Sequence, residues 1–239
     1  MSVMLFREDA YLRQTPAIVV GHTDEGGLIL DRCLFYPTGG GQPGDSGRLD
    51  WDKGSVVVAT TIKGTGDDII LVPGAPQAMP PVGQEVTQVL DWDRRQGHMR
   101  IHTALHLLSV AVPLPVNGGS IGANKGRLDF DMPDAVVDKG ALDDALNNLI
   151  MRDLEIIESW ISDEELLANP DLVKTMSVRP PTGQGRVRMI AIGQGAARID
   201  YQPCGGTHVA RTSEIGVVRI GKIQNKGRQN RRISIHLDG

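Results

Sequence analysis

The chain of 239 residues is poor in cysteine, poor in aromatics and free of long apolar runs. Its two cysteines, Cys33 and Cys204, cannot build a disulfide framework. Cys33 has no partner motif and reads as a small buried residue. Without a stretch of about 18 apolar residues, no helical membrane span is expected. Arg7, Glu8 and Asp9 stand where a signal peptide needs an apolar segment, so a cytoplasmic location is expected. What the chain has in excess is glycine, 29 residues, which implies many turns and places where backbone approaches backbone or ligand closely.

Charge is unevenly spread. Residues 1–178 hold 14 Lys/Arg and 26 Asp/Glu, a net of −12, whereas residues 179–239 hold 11 and 3, a net of +8. A basic end on an acidic chain suits a polyanion such as nucleic acid, and equally a solvated basic face.

Residues 3–90 read as short strands. AIVVG, GLILD, RLDW, SVVVATTI and DIILV are rich in Val and Ile and are punctuated by Gly, Pro and Asp, which predicts a small β-barrel. From Asp93 the period changes. DRRQGHMRIHTALHLLSVAV fits a helix that Pro113 and Pro115 end. A second helix is predicted from Asp138 to Ile161, and a short third one capped by Asp163 that stops near Pro170. Strands return in VRMIAIG, ARIDYQ, GVVRIGKIQ and RRISIHL. The expected fold class is α+β: a β-barrel domain over residues 1–92, then a two-layer α/β domain over 93–239 with helices on a mostly antiparallel sheet.

Two short motifs carry chemistry. In HTALH, His102 and His106 stand at i and i+4, so on a helix they share one face about 6 Å apart. In CGGTH, Cys204 and His208 sit in a Gly-rich turn about a hundred residues later. Two short pairs closing one tetrahedral site is the usual arithmetic for zinc, and imidazole with thiolate suits it. The Glu of the HExxH proteases is missing, which disfavours that machinery.

Four segments taken in order (DRRQGHMRIHTALHLL, GGSIG with RLDFD, CGGTHVARTSEIG and KIQNKGRQNRRI) resemble the editing domain of alanyl-tRNA synthetase. They resemble still more its free-standing relatives, the AlaX trans-editing proteins. The second domain of threonyl-tRNA synthetase shares the zinc motifs. FYPTGGGQPGDSG is similar to the Gly-rich motif of the barrel that precedes the editing domain. The resemblance runs from about Leu34 to Ile235, and no aminoacylation core is present.

The resemblance implies a zinc-dependent aminoacyl-tRNA deacylase. It would hydrolyse mischarged tRNA of the alanine type in trans, chiefly seryl-tRNA, with glycyl-tRNA as the second candidate. The need is physical: a pocket shaped for alanine rejects neither the smaller glycine nor an added hydroxyl strongly. Residue by residue, it implies zinc (Zn2+) on His102, His106, Cys204 and His208. Either His208 stands off and leaves a water position, or all four bind and the zinc orders the pocket. Thr103 is implied as a reader of the serine hydroxyl, against a Thr that bonds back one turn. Asn117 stands where the family often has Gln and would orient the substrate amine or a water. Gly40 and Gly41 would offer backbone N–H groups to substrate or RNA, and Asp45 would meet the α-amino group. Arg94, Arg95, Lys222, Lys226, Arg228, Arg231 and Arg232 are candidate phosphate contacts to the acceptor end, with Arg198 and Arg211 nearer the 3′ end. The competing readings are a non-catalytic tRNA-binding module with a structural zinc, and a metal hydrolase for a free small molecule.

Overall fold

The computed structural model describes residues 2–132, 138–174 and 185–238. They form two compact units that divide between Gln96 and Gly97. The architecture is α+β, as expected. Among the described residues, no helix is long and apolar enough to cross a membrane.

In the first unit six antiparallel strands close into a barrel. They are β1 (Gln14–His22), β2 (Leu28–Leu30), β3 (Gly47–Trp51), β4 (Gly54–Lys63), β5 (Ile69–Pro73) and β6 (Glu85–Leu90). Their order is β1-β2-β5-β4-β3-β6, and β6 returns to β1, so no edge is left to pair with another chain. The period-2 pattern explains the closure: Ala17 and Val19 of β1 point inward while Ile18 and Val20 face out. Leu28, Leu30, Leu49, Val56, Val58, Ile69, Leu71 and Val86 fill the inside.

The Gly-rich segment folds onto this barrel. Gly40 and Gly41 take φ of +57° and +82°, and Gly39 and Gln42 exchange backbone bonds of 3.0 and 2.9 Å around them. A two-residue turn with two positive φ values is built for glycine, and both stand at its tip.

The segment is pinned by an ion pair that overturns two expectations. Arg95 is fully buried and donates from Nε (2.9 Å) and Nη2 (2.5 Å) to Asp45 Oδ2. Its remaining donors go to the carbonyls of Leu34 and Ala10, at 2.8 and 2.9 Å. Asp45 Oδ2 also accepts from the Tyr36 N–H at 2.6 Å. Arg95 therefore does not meet phosphate, and Asp45 does not meet a substrate amine; both charges are spent on each other inside the barrel unit. Removing one partner leaves the other charge buried and alone. Asp45→Ala is expected to cost about 3–5 kcal/mol in urea denaturation, and a cost below about 1 kcal/mol, the level of an exposed pair, would contradict this role.

Helix α1 (Trp92–Ala111) starts within the first unit and ends ahead of Pro113. In the second unit follow β7 (Val116–Ile121), β8 (Lys125–Asp131), α2 (Lys139–Met151), β9 (Ile156–Ser162), α3 (Asp163–Ala168), β10 (Arg186–Ile192), β11 (Asp200–Pro203), β12 (Val218–Asn225) and β13 (Asn230–Leu237). They build two antiparallel sheets, β12-β13-β8-β7 and β9-β10-β11. Met99, Ile101, Ala104, Leu105, Leu107 and Leu108 of α1 are all buried, so the helix is covered around most of its girth. It lies close on β8: a Cβ at Gly126 would come within 2.5 Å of Ile101 Cγ2, so only glycine fits there.

The predicted second helix stops early. Asp138 caps α2 by accepting from the Ala141 N–H at 3.1 Å, and Leu142, Leu146 and Ile150 form its buried stripe. It ends at Met151 because Asp153 takes φ +51°, outside the helical region, where Arg211 and Ser213 hold its carboxylate. Residues 156–162 are strand β9, paired along their length with β10. The cap of α3 is Ser162 rather than Asp163, in a reciprocal capping box with Glu165. Strands β7 and β8 lie outside the sequence expectation: VNGGSI carries no apolar alternation, and KGRLDFD carries a short one in Leu128 and Phe130.

Candidate metal centre

His102 and His106 lie one turn apart on α1, while Cys204 and His208 lie in the segment that leaves β11. The fold brings all four together. One ligand atom from each lies within 4.8 Å of the others, so the group can hold a metal ion. Cys204 Sγ is 3.4 Å from His102 Nε2 and 3.3 Å from His208 Nε2. The three imidazoles are buried, with ring centroids 4.3–5.3 Å apart. His208 is thus inside the group and does not stand off from it.

The electrostatics suit a ligand set. Burial opposes a charge on Cys204, but the neighbouring His102 and His208 outweigh it and hold the thiol well below its ordinary value. Burial and the charge of His102 push His208 down to about 3. Burial also acts to lower His106, yet its bonds to Asp200 and Cys204 carry it up to about 9. Thiolate and neutral imidazole are the forms a metal takes, so Cys204 and His208 are poised for one while His106 gives up a proton to it.

Around the ligands lies a layer that the sequence motifs did not announce. His106 Nδ1 is 2.9 Å from Asp200 Oδ2, and Lys174 Nζ is 2.5 Å from Asp200 Oδ1. Gln202 donates to Asp200 Oδ2 at 2.8 Å. Burial acts to raise the Asp200 carboxyl, but the bond from His106 and the charge of Lys174 bring it down to about 2. Arg188 is buried and clamps the turn itself: Nη1 donates to the carbonyls of Cys204 (2.9 Å) and Gly206 (2.8 Å), and Nη2 to Glu158 Oε2 (2.5 Å). One signal for this layer was available: Asp200, Gln202 and Cys204 alternate along a strand and so share a face.

Thr103 is fully buried and acts on this layer. Its hydroxyl donates to the Met99 carbonyl one turn back at 2.9 Å, lies 3.1 Å from His208 Nδ1 and accepts from the Val209 N–H at 3.3 Å. A hydroxyl has one hydrogen and two lone pairs, and here all three are in use. In this arrangement Thr103 has nothing left for a substrate hydroxyl, and its contact runs to His208. Asn117 is half-buried on β7, the edge strand of the four-stranded sheet.

Among known protein families, residues 187–234 match the model of the threonyl and alanyl tRNA synthetase second additional domain, and residues 9–94 match that of class II (A) tRNA synthetases. The chain is 34% identical to the alanyl-tRNA editing protein AlaX-M of Methanosarcina acetivorans over 99% of both chains. It is 31% identical to the AlaX-M protein of Saccharolobus solfataricus over 98% of both. An alanine–tRNA ligase of Pyrobaculum neutrophilum is 32% identical over 92% of this chain but only 25% of the ligase. The chain belongs to the AlaX family. Its members of like length align with both units, from the barrel to β13.

The basic residues separate by environment. Arg232 is bound by Asp129 at 2.8 and 2.9 Å, and Arg211 is paired with Asp153. Partial burial acts to raise Asp129, but its bonds from Arg232 and Arg127 hold it below the usual carboxylate range. Arg94 is half-buried and donates to the Gly44 carbonyl, and Arg198 lies over the Tyr201 ring. Arg231 is half-buried and donates to the carbonyls of Gly227 and Asn230. Lys222 on β12, and Lys226 and Arg228 in the β12–β13 hairpin, are exposed and have no acidic partner among the described residues.

The ligand group predicts an acid-side weakness in the metal-free protein. As pH rises from 6.5 towards 9, Cys204, whose thiol is held well below its ordinary value in the folded protein, adds stability. His106 keeps its folded-state proton to about 9 and loses its contribution over the same window, so the two oppose. Below 6.5 the unfolded His208 takes a proton that the folded one refuses down to about 3, and Cys204 acts in the same direction. The urea midpoint of chelator-treated protein is therefore expected to be level from pH 6.5 to 9 and to fall below 6.5. His208→Gln should flatten the fall; an unchanged acid limb in that variant would refute the assignment.

Proposed function

We propose that the protein hydrolyses mischarged tRNA of the alanine type in trans, with seryl-tRNA as its main substrate and glycyl-tRNA as the second, and that zinc occupies the centre. The convergence of His102, His106, Cys204 and His208 in a chain that matches editing proteins over nearly its full length carries this reading. Zinc fits the donors. Tetrahedral bonds of about 2.0–2.3 Å put neighbouring ligand atoms about 3.5 Å apart, and the measured Sγ–Nε2 distances are 3.4 and 3.3 Å. Four protein ligands form a closed set, so we assign the ion an ordering role: it would tie α1 to the turn after β11 and supply a fixed positive charge beside the ester.

The reaction needs a water oxygen to attack the ester carbonyl carbon. The bond from that carbon to the terminal ribose oxygen breaks, and the ribose oxygen takes up a proton, which leaves free amino acid and intact tRNA. The buried imidazoles keep bulk water out. Arg188 holds the Cys204–Gly206 backbone in one shape, so the groups around the ester need not reorganise as charge develops on it. Asn117 is retained as the candidate that orients the amine or the water. A site that binds the serine hydroxyl discriminates against alanine, because alanine leaves its polar groups unpaired.

A panel of seryl-, glycyl- and alanyl-tRNA tests the proposal, each with and without chelator. Seryl-tRNA hydrolysis well above that of alanyl-tRNA is expected, lost with chelator and in Cys204→Ala. A second reading, a tRNA-binding module with a structural zinc, is favoured by the closed ligand set; it requires that no member of the panel be deacylated faster than without protein.

The exposed cations set the RNA contact. Replacing Lys222, Lys226 or Arg228 by Gln is expected to weaken tRNA binding and to lower the slope of log K against log salt by roughly 0.7–0.9 for each phosphate that is no longer neutralised. An unchanged slope in the triple variant would move the RNA surface elsewhere.

A further inference from the structure

We infer that Asp200, backed by Lys174, is the positioning residue that fixes which nitrogen of His106 faces the metal centre; the inference rests on the metal reading above and deepens it. A neutral imidazole has one N–H and one lone pair, and only the lone pair can ligate. Either nitrogen of a histidine at i+4 on a helix can in principle turn towards a partner at i. What decides between them here is a carboxylate on the far side of the ring.

That carboxylate is buried, with only 3% of Asp200 exposed, and it lies 2.9 Å from Nδ1. A carboxylate accepts and does not donate, so Nδ1 carries the hydrogen and donates it. Nε2 is then the nitrogen left to face the ligand group, and it ligates by giving its proton up to solvent when a metal binds. Gln202 lies 3.1 Å from the same Nδ1, but its Nε2 also donates to Asp200 Oδ2 at 2.8 Å. Both donors aim at one oxygen, which narrows the directions the carboxylate can take. Lys174 closes the arrangement from the other oxygen at 2.5 Å, and its side chain is one-third exposed. Its ammonium keeps Asp200 ionised in a place where an isolated carboxylate would be costly. The carboxylate in turn makes the ring a stronger ligand and holds its plane.

The same logic at His208 uses a weaker group. There Thr103 Oγ1 lies 3.1 Å from Nδ1, and Nε2 faces Cys204 at 3.3 Å. The Thr103 hydrogen already goes to the Met99 carbonyl, so Oγ1 accepts from His208 Nδ1 and leaves Nε2 to face the centre there as well, through a neutral acceptor rather than a carboxylate. At His106 the selection falls to Asp200.

The test uses the full chain. On wild-type protein with 15N-labelled histidine and one equivalent of zinc, long-range 15N–1H correlation should give His106 a protonated Nδ1 and an unprotonated, metal-shifted Nε2. The reverse pattern overturns the inference. Metal affinity is then measured by competition with a chromophoric chelator, and the cobalt-substituted protein reports the ligand field. Asp200→Asn is expected to lose about 10- to 100-fold in affinity and to shift the cobalt bands. Asp200→Glu should recover part of the loss, and Lys174→Gln should show a smaller one. Wild-type affinity and an unchanged cobalt spectrum in a folded Asp200→Asn protein overturn the inference; should that variant not fold, the wild-type tautomer and Lys174→Gln decide it. Failure of the wild type to bind zinc or cobalt would remove the metal reading itself, a distinct result.

Discussion

Three buried imidazoles and one half-buried thiol lie within a few ångströms of each other, and the second unit is arranged around making that tolerable. Buried polar groups are costly unless they are bonded, and four of them are costly unless one object satisfies them all. A divalent cation does so. The thiol is already held towards thiolate by the histidines, and His208 towards its neutral form, so the main change on binding an ion is the loss of the His106 proton. The ligands come from two kinds of support. His102 and His106 are set by one turn of a buried helix, and Cys204 by a turn whose carbonyls Arg188 holds.

The outer layer is what turns proximity into a site. The side-chain bonds of Thr103, Asp200, Gln202 and Lys174 run to ligands, to each other or to the ligand-bearing backbone, and Arg188 joins that backbone to Glu158. Such layers hold rings within the small angular tolerance that metal binding requires. Thr103 illustrates how a residue can be recognised correctly and still serve a different purpose. It stands between two ligands in sequence, and in space its hydroxyl is saturated by a helix carbonyl, a ring nitrogen and a backbone N–H.

Buried charge also decides which basic residues face outward. Arg95, Arg211 and Arg232 are candidate phosphate contacts by resemblance, and Arg188 carries the same charge. Each is engaged by a carboxylate: Asp45, Glu158, Asp153 and Asp129. The positive charge of the last 61 residues is therefore partly consumed in holding the fold, and among the described residues Lys222, Lys226 and Arg228 form an exposed group of cations without an acidic partner.

What the sequence determined by itself was whatever rests on local periodicity or on a short motif. Five of the six barrel strands were legible because short apolar segments rich in Val and Ile stand between turn residues, the sixth, Glu85–Leu90, being missed, and helix α1 because its apolar residues recur at helical spacing up to Pro113. HTALH and CGGTH named the four metal candidates because residue type and spacing alone define a bite. Tertiary structure decided the rest. Helix α2 ends at Met151 because a residue sixty positions away holds Asp153 in a non-helical conformation, which no local window contains. Strand β7 exists because β8 pairs with it, not because of its own composition. Asp200 and Lys174 meet although 26 positions separate them, and Arg95 finds Asp45 fifty residues away. An ion pair leaves no periodic trace in sequence, so which charges are spent inside and which remain for a partner is settled only when the chain has folded.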